Sequence, residues 1–461
     1  MADRRPASGS ESHSAESAEW AEGPATVGRR APFSENPNVG ARGLRTQQRI
    51  LDAALEVFAE SGYHQCSVGR ITDAAGCSRV SFYQYFSDKE NLFRVLAGQV
   101  ARQLYASTEA LGMLEADAAG RAALRGWVDR HAGVFDRYEP MFRAFRDAAE
   151  SDEELAGSSF RVARRNLEQF CSRVGDTDLP TRQLQPMVGL LLESVTQFHV
   201  TAALLRAHAP EEFGADRLRD SLTDVMHRSL FGRIDGVNVH PPAGPTPGAI
   251  VADGTTGTML VDDTASRELT PAGRRTLEHL MESGRTVFLL RGYHRTRVDD
   301  IAEEAGLSHG AFYRYFSSKG DLAQRIAADA MRDVSGEFEQ IAGLGAADPD
   351  GGGGPPTAAA ISAWLSRYSA VQSSRIAAIR LWVDAGDGAQ EHSLESAAVL
   401  DAGRRQLAAF LAPRGFGDAE MEALVGVAFI SSFGFRERPP EALDAATRIV
   451  ERGFLGNGMR W

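Results

Sequence analysis

The chain has 461 residues, 50 of them basic and 62 acidic, for a net charge of −12. That length has room for several hydrophobic cores, about three domains at roughly 150 residues each. The acid excess excludes a surface built throughout to hold nucleic acid, though not a local basic site.

Residues 1–43 are rich in Ser, Ala, Glu, Arg and Pro and carry few large apolar side chains. Such a segment buries too little to offset its ordering entropy and is expected to be a disordered tail. From Leu44 to Ser61 the apolar positions Leu51, Ala54, Leu55 and Phe58 share one helical face, and Gly62 offers a left-handed C-terminal cap. Ser67 predicts the N-cap of a short helix through Ala75. Gly76 permits a tight turn, and Ser78 caps a third helix carrying Arg79, Val80, Ser81, Phe82, Tyr83, Gln84, Tyr85 and Phe86. This is a helix-turn-helix, whose second helix enters the DNA major groove. Phe82 and Phe86, four apart, should face the core and leave Arg79, Val80 and Ser81 toward the groove. The hydroxyls of Tyr83 and Tyr85 suit phosphate oxygens.

The same arrangement occurs twice. A shift of 230 residues lays the segment from Gly62 over that from Gly292 without a gap, matching Tyr63 with Tyr293, Ile71 with Ile301, Gly76 with Gly306, Ser78 with Ser308, Phe82 with Phe312, Tyr83 with Tyr313 and Phe86 with Phe316. Weaker matches continue at a shift of 237, with Trp127 over Trp364, Arg130 over Arg367 and Val134 over Val371. The only two lysines, Lys89 and Lys319, occupy equivalent places at the start of the fourth helix of each copy. An ammonium sits poorly with the positive end of a helix macrodipole, so a nearby phosphate is expected to relieve the conflict.

A glycine-aromatic turn, a short helix containing Ile, then Ala-Gly-x-Ser, Tyr-x-x-Phe and a lysine, found twice, resembles the TetR family of transcriptional regulators. The resemblance is strong over about 50 residues of each copy and holds only in outline beyond them. It implies an all-α chain of two tandem units, each with an N-terminal helix-turn-helix bundle and a helical C-terminal domain for ligand binding and dimerisation, paired as an intramolecular pseudo-dimer. The implied double-stranded DNA contacts are Ser67, Arg79, Val80, Ser81, Tyr83, Gln84, Tyr85 and Lys89 in the first copy. In the second they are Thr296, Arg297, His309, Gly310, Ala311, Tyr313, Arg314, Tyr315 and Lys319. The pairs Cys66-Ser67 and Thr296-Arg297 depart from the paired threonines of many relatives, and Ser283-Gly284 interrupts the second copy's first helix at a cost of about 1 kcal/mol against alanine.

The division that follows is a tail (1–43), a first DNA-binding domain (44–104), its helical domain (105–232), a flexible linker rich in Gly, Pro, Thr and Asp (233–269), a second DNA-binding domain (270–332) and its helical domain (333–461). Charge follows it: residues 41–104 hold eight basic and six acidic side chains and 271–332 ten and eight, so the acid excess lies outside the DNA-binding blocks. Helices 183–207 with 215–231, and 419–435 with 440–454, are the candidates for a four-helix interface. Trp127, Phe142, Phe145, Phe198, Trp364 and Trp382 are candidate linings for a small apolar effector, whereas His199, His208 and His227 read as surface or core histidines.

Cys66, Cys77 and Cys171 have no metal or disulfide spacing. No phosphate loop, G-x-S-x-G or H-E-x-x-H occurs, so no cofactor, metal or catalytic residue is expected. The N-terminus lacks the apolar stretch of a secretory signal, and a cytoplasmic protein without a membrane span is expected. The resulting expectation is a ligand-responsive repressor reading an imperfectly palindromic operator through two unlike heads. The rival readings are a helical interaction protein, or a homodimer in which one or both heads leave DNA alone.

Overall fold

The structure is a computed structural model that describes residues 40–150, 153–242, 244–250, 269–293, 295–345, 356–384, 389–414, 417–434 and 438–456. Of the expected tail, 1–43, residues 1–39 lie outside the described residues, while Ala41 to Gly43 already belong to the first helix. The first copy runs α1 (Ala41–Gln65), α2 (Val68–Ala74), α3 (Arg79–Tyr85), α4 (Lys89–Glu109), α5 (Ala118–Glu150), α6 (Glu153–Cys171), α7 (Thr181–His208) and α8 (Ala215–Phe231). The second runs α9 (Pro271–Arg291), α10 (Val298–Glu304), α11 (His309–Phe312), α12 (Lys319–Ile341), α13 (Ala358–Asp384), α14 (Ala389–Leu411), α15 (Ala419–Gly434) and α16 (Pro440–Ile449), which continues as a π turn, Val450–Phe454. Among the described residues there is no strand, only two isolated bridges. The all-α architecture is as the sequence predicts.

Local chemistry starts these helices where the sequence places them. Thr270 accepts a hydrogen bond from the Gly273 backbone with Pro271 at the first helical position, and Asp88 accepts one from Asn91 at 2.6 Å. Helix α9 runs unbroken through Ser283-Gly284, and the glycine there has a packing cause. A Cβ on Gly284 would lie 2.8 Å from Leu322 Cδ2 and 3.0 Å from Ile326 Cδ1, so the glycine lets α9 approach α12 closely.

Three cores form. Each DNA-binding block has its own, centred on Phe82, Phe86 and Phe93 in the first and on Phe312, Phe316 and Leu322 in the second. The third is common to both copies: Trp127, Phe170, Met187, Phe198 and Phe231 belong to one cluster with Trp364, Tyr368, Met421, Phe429 and Phe454. Complete burial of each such side chain contributes about 1.5–3 kcal/mol. Helix α7 packs along α15 and α16, and α8 packs on α15 and the π turn, so the four expected interface helices meet within one chain. Helix α7 has the length and hydropathy of a membrane span, but more than half of its most apolar stretch is buried within the protein.

At the crossing of α8 with the π turn, small residues bring two backbones together. A Cβ on Gly453 would lie 2.5 Å from Ser229 Oγ and 3.2 Å from the Val225 carbonyl oxygen. Two arginines close the crossing reciprocally: Arg228 Nε donates to Gly453 O at 2.8 Å, and Arg452 Nε to Ser229 O at 3.0 Å. Arg228 also pairs with Glu422 at 2.7 Å, Arg452 with Asp178 at 2.7 Å, Arg217 with Asp418 at 2.5 Å and Arg438 with Glu193 at 2.7 Å. All four pairs cross from one copy to the other.

One expectation needs correcting. The linker was expected to be flexible over 233–269, yet its first half is docked. Asn238 is fully buried, its side-chain amide donating to His227 Nδ1 and to Gly232 O, both at 2.9 Å, while its backbone carbonyl accepts from Arg228 Nη1 at 2.6 Å. Further along, Pro245 O accepts from Arg217 and the Ile250 backbone donates to Asp401 of the second copy at 3.0 Å. Composition suggested freedom, but buried partners hold the segment. Residues 251–268 lie outside the described residues.

Gly453→Val should force the crossing helices apart and cost about 1–3 kcal/mol by overpacking, seen as a lower urea midpoint by circular dichroism.

Candidate nucleic-acid interface

Each head is a helix-turn-helix held by a few local contacts. Ser67 Oγ accepts from Arg70 N at 3.3 Å to start α2, and Ser78 Oγ from Ser81 N at 3.1 Å to start α3. Between them the chain turns at Gly76, with φ of +59°, and Cys77 N donates back to Thr72 O at 3.0 Å. The second head repeats the second cap and the turn, with Ser308 Oγ accepting from Ala311 N at 3.2 Å and Gly306 at +60°, but α10 starts differently, Arg297 N donating to Asp300 Oδ2 at 2.8 Å. Phe82 and Phe86 are fully buried with rings 5.5 Å apart, and Phe312 and Phe316 reproduce the pair.

With those phenylalanines inward, the outward face of the first head presents Arg79, Val80, Tyr83 and Gln84, Val80 being 73 % exposed. Ser67 is exposed and Ser81 is half-buried. Tyr85 differs from its neighbour: its ring is buried in the head's core, whereas Tyr83 is exposed. The second head presents Arg297, His309, Gly310, Tyr313 and Arg314, with Tyr315 half-buried and both Thr296 and Ala311 buried. The Thr296 hydroxyl is turned inward and donates to Gly292 O at 2.7 Å.

The two outward faces are not equivalent. Helix α11 spans four residues where α3 spans seven. Arg79 lies over Gly69, where a Cβ would come within 2.8 Å of its guanidinium. The corresponding pair in the second head is His309 and Asp299, whose side chains bond at 2.5 Å. The guanidinium is thus laid over a glycine, and the imidazole is tied to a carboxylate.

The lysines answer their dipole conflict inside each head. Lys89 Nζ donates to Tyr63 O at 3.0 Å and sits 4.2 Å from the Tyr63 ring centroid. Lys319 Nζ donates to Tyr293 O at 2.8 Å and Thr296 O at 3.0 Å, 4.3 Å from the Tyr293 ring. Each clamps the strained turn after the first helix, where Gly62 and Gly292 have φ of +72° and +74°. A phosphate is therefore not needed to explain the lysine, and only the exposed part of each ammonium faces out.

Of the candidate effector contacts, Trp127, Phe142 and Phe198 each meet one ring of the group His131, Phe135 and His199, at 5.3, 5.2 and 5.4 Å, whereas Phe145 meets Phe93 and Trp364 belongs to the second copy. Trp127 and Trp364 are core residues whose indoles donate to Thr108 Oγ1 at 3.1 Å and Glu337 O at 3.0 Å. Phe142 and Phe145 pack against the first head's core, and the side chain of Trp382 lies outside the described residues. Phe198 lines a crevice between α5, α7 and α8 together with Phe135 and His199. His199, read from sequence as an ordinary histidine, stacks on His131 at 5.2 Å and on Phe135 at 5.3 Å. Its neighbours come from a helix more than sixty residues away, so sequence spacing carried no signal for them. Burial holds the His131 imidazole down to about 4 and the His199 imidazole well below its ordinary value.

Comparison with known proteins agrees with the two heads. The family model described as bacterial regulatory proteins, tetR family, matches residues 50–96 and 280–326. The chain is 37% identical over 76 residues to the HTH-type transcriptional repressor AcnR of Corynebacterium glutamicum, covering 16% of this chain and 40% of that protein. It is 31% identical over 164 residues to the HTH-type transcriptional repressor Rv1474c of Mycobacterium tuberculosis, covering 34% of this chain and 85% of that protein. It thus spans well under half of the first relative's length and most of the second's. A crystal structure of the TetR family transcriptional regulator PfmR from Thermus thermophilus is 21% identical, with a TM-score of 0.32, covering 39% of this chain and 97% of that one.

Lys89→Met should destabilise the first head by about 1–2 kcal/mol through loss of the carbonyl and ring contacts, read as earlier hydrogen exchange of α1 and α4 amides. The histidines set a pH dependence. Between about pH 6.5 and 4 the unfolded chain binds protons that His131 in the fold refuses, so stability is present above this window and falls as pH falls through it. His131 alone contributes about 3 kcal/mol to that loss, and urea titrations of His131→Gln beside the parent should show a flatter profile.

Proposed function

The chain belongs to the TetR family of bacterial regulatory proteins, and from that membership we propose that it is a DNA-binding transcriptional repressor rather than an enzyme, with one chain supplying both reading heads. The observation that carries this reading is the pairing of two like scaffolds with unlike exposed faces: Arg79, Val80 and Gln84 on one, His309, Gly310 and Arg314 on the other. The four-helix packing of α7 and α8 on α15 and α16 supports one chain acting as an intramolecular pseudo-dimer. Its operator is then double-stranded DNA with two non-identical half-sites. Arginine suits the paired acceptors of guanine and glutamine the donor and acceptor of adenine, so the first head carries the sharper sequence choice.

Responsiveness to a small effector is part of the same reading, and α5 supports it. This helix is kinked at Tyr138, just before Pro140. The part before the kink lines the crevice through Phe135, and Met141 and Ala144 beyond it lie in the first head's core. An effector that shifts α5 would move the head and change its fit to DNA by altering the populations of two arrangements.

Arg79→Ala should cost about 1–3 kcal/mol of DNA affinity at one half-site and leave the other unchanged, measured by footprinting on the isolated operator. Equal loss at both half-sites, or two chains per operator by light scattering, would contradict the single-chain reading. Absence of any salt-sensitive duplex binding would contradict the regulator reading itself.

A further inference from the structure

Copy one holds two buried imidazoles, each with one ring nitrogen left without a hydrogen bond. His131 and His199 are 6 % and 7 % exposed, and His131 Nδ1 and His199 Nε2 have no hydrogen-bond partner among the described residues. Polar atoms buried in this way are normally paired. The two rings stack nearly parallel, with 15° between their planes, and Phe135 also stacks on His199, at 25°. Phe198 meets His199 edge-on. His199, Phe135, Phe198 and Leu218 wall a crevice that encloses about 340 Å³ including its open mouth, where Asp136, Arg206 and Arg219 present both signs of charge.

The second copy gives an internal comparison. At the shift that overlays Trp127 on Trp364, His131 corresponds to Tyr368 and Phe135 to Gln372. There the space is filled from within: the Tyr368 hydroxyl bonds the Ser431 side chain, and the Gln372 amide nitrogen donates to Ser431 O at 3.1 Å. The separate crevice beside Trp364 is walled by Ile341, Leu407, Phe429 and other apolar side chains, with no group to orient a ligand.

We infer that the chain senses its effector through copy one alone, in the crevice walled by His199, Phe135 and Phe198 with His131 stacked on His199, and that the effector is a hydroxylated aromatic compound of the phenol class. The aromatic walls take the ring face to face and edge to face. A hydroxyl donates and accepts, so it pairs with the open nitrogen of a neutral imidazole whichever tautomer is present. The imidazoles stay neutral because burial depresses their protonation, so a hydroxyl meets an uncharged ring nitrogen there. This inference rests on the ligand-responsive part of the proposed function and specifies the class of compound that part requires.

The test uses the full-length protein without DNA and two probes of equal shape, 2-naphthol and 2-methylnaphthalene, titrated by calorimetry. The parent should bind 2-naphthol about tenfold more tightly than its methyl counterpart, the difference of one buried hydrogen bond. His199→Phe should bring the two affinities together while 2-methylnaphthalene still binds, and Tyr368→Phe in the second copy should leave the tenfold preference intact. Should His199→Phe fail to fold, nitrogen resonances of the His131 and His199 rings in the parent serve instead, and they should shift with 2-naphthol and not with 2-methylnaphthalene. Equal affinities in the parent, no binding of either probe, or an undiminished preference in His199→Phe would overturn the inference. Duplex binding measured separately on the same preparations keeps the two readings apart, since a protein that ignores both probes yet binds DNA with salt sensitivity refutes the sensor and leaves the regulator standing.

Discussion

The close crossing of α8 with the π turn after α16 is the contact on which the rest of the molecule depends. Ser229 and Gly453 are small enough to let two backbones touch, and Arg228 and Arg452 then each reach across to a carbonyl of the other copy. These arginines are buried, so their charges are tolerable only with good partners, and Glu422 and Asp178 supply them. The exchange is reciprocal in its backbone contacts and unlike in its carboxylates. That asymmetry suits an interface between two copies that have diverged, since neither copy offers the other's set of partners to a second version of itself. Once this crossing is closed, α7, α15 and α16 bury a single apolar core, and the docked part of the linker is drawn in through Asn238 and Ile250.

The same logic of a shared scaffold with divergent detail holds in the heads. The serine cap of the second helix of the motif, a glycine turn, a phenylalanine pair and a lysine clamp recur, because each solves a local physical problem that both copies have. The exposed residues solve no such problem and are free to differ. The replacement of Gly69 and Arg79 by Asp299 and His309 illustrates the point: the fold tolerates either, but one leaves a guanidinium lying over a glycine and the other engages an imidazole with an acid. The lobes differ in a comparable way. Tyr368 completes the packing of copy two with its own bond to Ser431, whereas His131 and His199 leave copy one with unused polar capacity beside a crevice. Helix α5 joins that crevice to the first head through a kink, so the lobe and head of copy one are linked by a single bent element.

Much of this was determined by sequence alone. The duplication, the all-α class, both helix-turn-helix motifs, their caps and turns, and the inward phenylalanines all follow from local patterns that repeat at a fixed spacing, and local patterns are set by nearest neighbours along the chain. Tertiary structure decided the rest. The burial of Tyr85, the inward use of Lys89 and Lys319, the docking of residues 233–250 and the pairing of His131 with His199 depend on side chains tens to hundreds of residues apart. A lysine at a helix start has the same sequence context whether a phosphate or a carbonyl meets it, and a Gly-Pro-rich stretch has the same composition free or docked. Only the folded chain fixes which partner is within reach, because hydrogen bonds and burial act over a few ångströms in space and take no account of distance along the sequence.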